Sequence, residues 1–161
     1  MIAGSWHEQE ADKLVNLATL ADGWGRIVLK HRKLFPYVLP NGAIEDIHSG
    51  EELPVLVFED ALVAFGICRD FCERGGLGRP NPYTALDVDI CSVVSYGSEN
   101  TMENHLKTAD DVRIKYRTRA FIVQQGDETP NVGYVLSPYT PNGTKAGALA
   151  TKTSWNRAPK T

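Results

Sequence analysis

The densest run of apolar residues lies near the middle of the chain and predicts a strand followed by a helix. Residues 55–58 are continuously apolar, as expected for a strand that is covered on both faces. Glu59 and Asp60 follow, and acidic residues favour the N-terminus of a helix, where the backbone dipole is positive. Apolar residues then recur at helical spacing, at Ala61, Ala64, Phe65, Cys68, Phe71 and Cys72. We therefore predict a core helix over residues 59–74.

A second helix is predicted near the N-terminus. Ser5 and Glu8 match the capping-box pattern, in which a serine is followed three residues later by glutamate. Asp22 and Gly23 are suited to the end of this helix. Between these signals, apolar residues recur at core spacing, at Ala11, Leu14, Val15, Ala18 and Ala21.

Two patterns predict the strands: a stretch rich in β-branched, aromatic and basic residues, and alternation of apolar and polar residues over residues 83–96 and 112–117. One strand begins at about Arg26 and ends at the turn after Pro40, and two others cover residues 83–96 and 112–117. A further strand covers residues 131–136. We therefore predict an α+β fold with a single mixed or mainly antiparallel sheet and two main helices packed on one face.

The C-terminal part differs in composition from the rest of the chain. Residues 137–161 contain no acidic residue and are interrupted by proline and glycine. We predict one α+β domain over residues 1–136 and an extended C-terminal arm over residues 137–161. Aromatic and basic side chains suit contacts with a partner, so we expect this arm to bind one through Tyr139, Lys145, Lys152, Trp155, Arg157 and Lys160.

Composition and charge narrow the class of protein. A chain of 161 residues with 42% hydrophobic residues is long enough for one globular core. The net charge of −3 gives no general attraction to nucleic acid. Three cysteines without a disulfide-framework spacing favour a reducing compartment. No signal peptide or membrane span is predicted, so we expect a cytoplasmic or virion location without membrane contact.

The cysteines are the first candidates for chemistry. Cys68 and Cys72 would share one face of the predicted helix, but a metal site needs two further ligands and the sequence has no second closely spaced Cys or His pair. We interpret both cysteines as core residues and predict neither a metal nor a cofactor. A Cys–His nucleophile pair would require His105 to approach Cys68 or Cys91, and no local pattern favours that.

Charged residues offer three further candidates. Asp87 and Asp89 could be paired carboxylates, but we favour a cross-strand charge ladder with the bases of residues 112–117. An anion could be bound by the basic set Arg113, Lys115, Arg117 and Arg119. An upstream basic cluster is interpreted as a solvated sheet edge rather than a phosphate site, and it consists of Arg26, Lys30, His31, Arg32 and Lys33.

The sequence contains no catalytic constellation and no motif specific to a family. We therefore predict no catalytic residues and a non-enzymatic structural or assembly protein, such as a phage virion or head–tail component, whose arm docks on another subunit of its own or another kind. One alternative is an enzyme or small-ligand binder with a pocket between sheet and helices, built from His105, Asp87, Asp89 and Arg117. The other alternative binds nucleic acid or an acidic protein through the basic strand and arm.

Overall fold

A computed structural model describes residues 2–39, 41–72, 80–126, 131–139 and 151–155. Its first two strands, β1 (Ile2–Glu10) and β2 (Lys13–Ala21), form an antiparallel hairpin. The helix predicted from Ser5 is therefore wrong. Residues 15–19 of β2 are all buried, so the apolar positions of this strand do not alternate and coincide with a helical spacing.

A third strand, β3 (Ile27–Arg32), pairs antiparallel with β2 and completes a three-stranded sheet in the order β1-β2-β3. The strand predicted from about Arg26 is present, but it ends at Arg32 rather than near Pro40. The segment that follows it carries the first residues of the candidate site.

The second sheet has six strands in sequence order: β4 (Val55–Val57), β5 (Leu62–Ile67), β6 (Ile90–Gly97), β7 (Arg119–Gly126), β8 (Asn131–Leu136) and β9 (Thr151–Trp155). Strands β5, β6 and β7 are parallel, and the remaining pairs are antiparallel. A short helix α1 (Arg69–Cys72) follows β5, and the long helix α2 (Glu99–Tyr116) connects β6 to β7. Parallel neighbours need such a crossover connection.

Two predicted elements in this half of the chain have the wrong type. The helix predicted over residues 59–74 is strand β5 followed by the four residues of α1. The strand predicted over residues 112–117 is the C-terminal part of α2, which ends with Arg117 in the left-handed conformation. The charge ladder between that strand and the aspartates is therefore wrong as well. Central strand β5 is apolar at nearly every position because it is covered on both faces.

The core lies on both faces of the larger sheet. On one face, Cys91 and Val93 of β6 belong to the same buried cluster as Ala109 and Val112 of α2. The alternate residues of β6, including Val94, line a small void shared with β2 and β3. The layers are thus helix, six-stranded sheet and three-stranded sheet. The predicted single sheet with two main helices on one face is wrong.

Among the residues that the structure describes, no helix has the length and apolar composition needed to cross a membrane.

Candidate active site

Cys68 lies on a sharp turn between β5 and α1. Its φ angle is 47°, in the left-handed region, which is uncommon for a residue other than glycine. The turn is fixed to the neighbouring strand, because the Cys68 amide donates a hydrogen bond of 2.8 Å to the carbonyl oxygen of Val94. The side chain is partly exposed, and Sγ lies 3.8 Å from the carbonyl oxygen of Tyr96. The prediction that Cys68 belongs to a helical core stripe is wrong, and a constrained thiol at a strand end is typical of functional sites.

Lys33 and Glu45 form an ion pair in the segment after β3. The Lys33 side chain is only 4% exposed, and its Nζ donates a hydrogen bond to Glu45 Oε2. The same carboxylate accepts hydrogen bonds from the Tyr37 amide at 2.8 Å and from His7 Nε2 at 2.9 Å. A buried lysine of this kind is rare unless it is paired. It was predicted to lie on a solvated sheet edge, and that prediction is wrong for Lys33.

The donors around Glu45 keep its carboxylate ionised. Burial alone would raise the pKa of Glu45, but the hydrogen bonds from Lys33 and the Tyr37 amide and the positive charge of Lys33 lower the pKa to about 2. Because Glu45 is ionised at neutral pH, the proton shared with His7 lies on the imidazole Nε2. The carboxylate therefore acts as an acceptor that joins Lys33 and His7.

The backbone of Lys33 is held on both sides. Its amide donates to the carbonyl oxygen of Asn16 at 2.8 Å, and its carbonyl accepts from the amide of Gly50 at 2.8 Å. A Cβ atom at Gly50 would lie 2.6 Å from the carbonyl oxygen of Arg32, so only glycine allows this close approach of the two segments. The ion pair therefore starts from a well-fixed main chain.

Asp70 brings the cysteine turn and the lysine segment together. Its side chain is fully buried, and Oδ1 accepts hydrogen bonds of 2.9 Å from the amides of Leu34 and Phe35. Oδ2 accepts from the amide of Ile67 at 3.3 Å and faces His31 Nε2 at 3.3 Å. Asp70 thus contacts the residues next to Lys33 and the residue next to Cys68. We call Lys33, Glu45, Cys68 and Asp70 the strand-end cluster.

His105 lies elsewhere, in a second group of polar side chains under α2. Its Nε2 is 3.0 Å from Ser95 Oγ, which is 3.4 Å from Gln124 Oε1. All three side chains are buried, and we call them the helix-side cluster. Burial lowers the pKa of His105 to about 4, so this imidazole is neutral at physiological pH.

The aspartates considered together with His105 lie at the opposite end of β6. Asp89 comes directly before β6 and accepts a hydrogen bond of 2.8 Å from the Leu62 amide, and Asp87 is exposed. Six residues separate Asp89 from Ser95, which corresponds to about 20 Å of extended strand. The structure does not bring these carboxylates to the histidine.

The predicted anion-binding residues are spread over the end of α2 and the start of β7. Arg113 donates to the Ser137 carbonyl oxygen and to Asp110, and Lys115 Nζ lies 4.6 Å from the Tyr116 ring centroid. Arg117 is the C-terminal cap of α2, and Arg119 begins β7. Anion binding by this set stays a prediction.

The predicted partner-binding residues all belong to the C-terminal arm. Lys145, Arg157 and Lys160 lie outside the described residues. Lys152 and Trp155 belong to β9, which pairs with β8, and only their backbone is described. The amide of Tyr139 donates to the Arg113 carbonyl oxygen at 3.3 Å. Binding of a partner by the arm therefore stays a prediction.

Several solved structures share this fold. The NitN amidase from Nesterenkonia sp. AN1 matches with a TM-score of 0.63 at 15% identity, over 83% of this chain and 53% of that chain. Saccharomyces cerevisiae Nit3, of branch 10 of the nitrilase superfamily, matches with 0.64 at 15% identity, over 85% and 51%. Glutamine-dependent NAD+ synthetase from Acinetobacter baumannii matches with 0.61 at 15% identity, over 81% and 26%. No family model and no curated protein matches the sequence.

The likenesses show the fold and correct two expectations. This chain spans about half the length of the amidase and of Nit3. A single-residue mutant of the amidase has been seen with acrylamide, and with the acetamide moiety of fluoroacetamide, attached to its active-site cysteine. The interpretation as a structural or assembly protein of a phage is wrong, as is the virion location, because the similar structures are enzymes. The alternative that named an enzyme agrees better with them.

Proposed function

We propose that this chain carries the nucleophile and the cationic group of a cysteine-dependent hydrolase that cleaves the carbon–nitrogen bond of carboxamides. The observation that carries the proposal is the strand-end cluster, where a partly exposed cysteine on a constrained turn lies beside a segment with a buried Lys–Glu ion pair. Nucleophile, cation and orienting carboxylate are the components that acyl transfer requires.

Cys68 is the nucleophile in this proposal. Of the three cysteines, Cys91 is buried in the core, and burial raises its pKa to about 12, which makes it unreactive at neutral pH. Cys72 lies within α1, and its Sγ points back to the carbonyl oxygen of Cys68 at 3.9 Å. Only Cys68 combines partial exposure with a position on the turn at the end of a central strand.

Lys33 supplies the positive charge in this proposal. A buried ammonium group that is already oriented can stabilise the oxyanion that forms when a carbonyl carbon is attacked. Glu45 holds the ammonium group in place, and the Tyr37 amide and His7 hold Glu45. Because the carboxylate has several donors, it can orient Lys33 without taking its proton.

The reaction then has two stages. The Cys68 sulfur attacks the amide carbonyl carbon, and the π electrons move to the oxygen, which the Lys33 ammonium group stabilises. Collapse of this intermediate breaks the C–N bond, and the nitrogen leaves as ammonia or an amine after it takes the proton that the Cys68 thiol gave up. Water then attacks the thioester and releases the carboxylic acid and the thiol. In sum, an amide and water give an acid and an amine.

The similar structures support the substrate class. One of them is an amidase and another a glutamine-dependent NAD+ synthetase, and in a mutant of the amidase the active-site cysteine is alkylated by acrylamide and by fluoroacetamide, both of which are small amides. We therefore expect primary carboxamides, with acetamide and glutamine as the first probes.

The test is ammonia release from acetamide and glutamine by the full chain. We expect Cys68→Ser to lower the rate by more than about 10³-fold, because an alcohol in the same place is not matched to this site. Cys72→Ser is the matched control, since it removes a partly exposed thiol four residues away and should leave the rate unchanged. Equal rates for the wild type and Cys68→Ser would contradict the proposal.

A further inference from the structure

We propose that Asp70 is a positioning residue that holds the Cys68 turn and the Lys33 segment in register for the reaction. This inference rests on the proposed function and adds a residue to it. Asp70 does not touch the reacting atoms in this account. It acts through the main chain on either side of it.

The hydrogen bonds of Asp70 link two distant parts of the sequence. Asp70 is 36 residues from Leu34, yet Oδ1 accepts from the amides of both Leu34 and Phe35 at 2.9 Å. Those amides directly follow Lys33 in the chain. The other oxygen accepts from the amide of Ile67, the residue before Cys68. One carboxylate therefore binds the chain next to the proposed cation and next to the proposed nucleophile.

The burial of Asp70 shows that these contacts are needed. Its side chain is fully inaccessible, and an isolated carboxylate in such a place would be strongly unfavourable. Three amides and the His31 imidazole form hydrogen bonds with the carboxylate. The His31 side chain is itself only 2% exposed. Each amide that Asp70 binds would lose its acceptor if the carboxylate were removed, so the two segments would be free to separate.

Two substitutions differ in how much of this link they remove. Asp70→Asn keeps an Oδ1 that can accept from Leu34 and Phe35, but its NH₂ group cannot accept from Ile67. Asp70→Ala removes every acceptor. Thr118→Val is a matched control, because Thr118 is also buried. Its Oγ1 donates a hydrogen bond of 2.7 Å to the Val88 carbonyl oxygen, away from the strand-end cluster.

The experiment compares two alkylating reagents on the full chain. Fluoroacetamide has a strong C–F bond and needs an organised site, whereas iodoacetamide reacts with any accessible thiol. We measure both rates at Cys68 by peptide mass mapping, together with kcat and KM for amide hydrolysis. Each rate is referred to the folded fraction of that variant, so that loss of stability alone does not change it.

We expect Asp70→Ala to lower the rate of the fluoroacetamide reaction and kcat by about 100-fold, because misplaced reacting groups cost a rate factor of this size. KM and the rate of the iodoacetamide reaction should stay within about threefold of the wild-type values. Asp70→Asn should restore part of the loss, to within about tenfold of the wild type. Thr118→Val should leave both reagent rates unchanged, although it lowers stability.

The outcomes separate this inference from the proposed function. If the wild type reacts with fluoroacetamide and Asp70→Ala reacts equally fast, positioning by Asp70 is contradicted and the proposed function stands. If the wild type neither hydrolyses amides nor reacts with fluoroacetamide, the proposed function is contradicted and the positioning role falls with it. If Thr118→Val matches Asp70→Ala, general destabilisation replaces positioning as the explanation.

Discussion

The strand-end cluster and the helix-side cluster both contain buried polar side chains, but only the strand-end cluster keeps charged groups. In the strand-end cluster, Lys33, the Tyr37 amide and His7 hold Glu45 ionised with a pKa of about 2. In the helix-side cluster, the partners of His105 within the described part of the chain are neutral, and burial lowers its pKa to about 4. In the function that we propose, the charges of the strand-end cluster serve the chemistry, whereas the helix-side cluster is a neutral network that packs under α2.

The contrast shows that residue types alone do not identify a site. Ser95 and His105 resemble part of a nucleophile–base pair, yet both are buried beneath a helix and no carboxylate orients the imidazole through a described contact. Lys33 looks like one base among several on a sheet edge, yet it is buried, as is His31 of the same basic cluster. Partners and access, which depend on the fold, decide the chemistry.

The largest effect is expected from a substitution that removes the charge of Lys33 from the strand-end cluster. Lys33→Met should lower kcat by about 10²–10³-fold, because it removes the group that stabilises the developing oxyanion. The measurement is steady-state hydrolysis of acetamide. Lys30→Met is the matched control, since Lys30 is a nearby lysine whose side chain is half exposed. Its Nζ forms a long ion pair of 3.7 Å with Glu8 Oε1 instead of a buried one. A Lys33→Met variant with the wild-type kcat would remove the functional distinction between the two clusters.

The next effect concerns the neutral cluster and its dependence on pH. Neutral His105 is favoured in the folded state, so its contribution is complete above the ordinary pKa of 6.5 and is lost as the pH falls towards 4. A difference of this size corresponds to about 3 kcal/mol of unfolding free energy over that interval. His105→Gln should make the stability less dependent on pH there.

Urea unfolding at several pH values between 7 and 4 measures this difference, within the range given by the pKa of about 4. His48→Gln is the control, because His48 is exposed and its side chain should leave the curve unchanged. If His105→Gln and the wild type lose stability in parallel, then the histidine is not held neutral by its surroundings.

The smallest effect separates the cysteines. Cys91→Ala should lower the unfolding free energy by on the order of 1 kcal/mol, since it removes a small buried apolar group. It should leave amide hydrolysis and labelling at Cys68 unchanged, which peptide mapping and urea unfolding would show. If the fully folded Cys91→Ala variant were no longer labelled, Cys91 rather than Cys68 would be the reactive thiol, which would contradict the proposal.

Some elements of the fold could be predicted from the sequence. The strand predicted over residues 131–136 corresponds to β8, and the basic, β-branched stretch after Arg26 predicted β3. Strands covered on both faces were the difficulty. In β2 and β5 nearly every position is apolar or small, so a helical spacing can be traced through them by coincidence. The number of sheets, which depends on long-range pairing, was therefore wrong.

The candidate site could not be predicted for related reasons. The left-handed turn at Cys68 is imposed by pairing of β5 with β6 and leaves no local sequence signature. Lys33 is buried whereas its neighbour Arg32 is exposed. That difference in burial can be seen only once the fold is known. A useful signal was present in the apolar strand that ends at Ile67-Cys68, with Asp70 two residues on, because nucleophiles often follow central strands.

The most direct measurement is the peptide-mapped mass of the full wild-type chain after treatment with fluoroacetamide. We expect one acetamide moiety, attached at Cys68, with Cys72 and Cys91 unmodified. A chain that remains unmodified and releases no ammonia from fluoroacetamide while iodoacetamide still labels Cys68, or one that is modified equally at Cys72, would contradict the claim that the strand-end cluster is an organised active site.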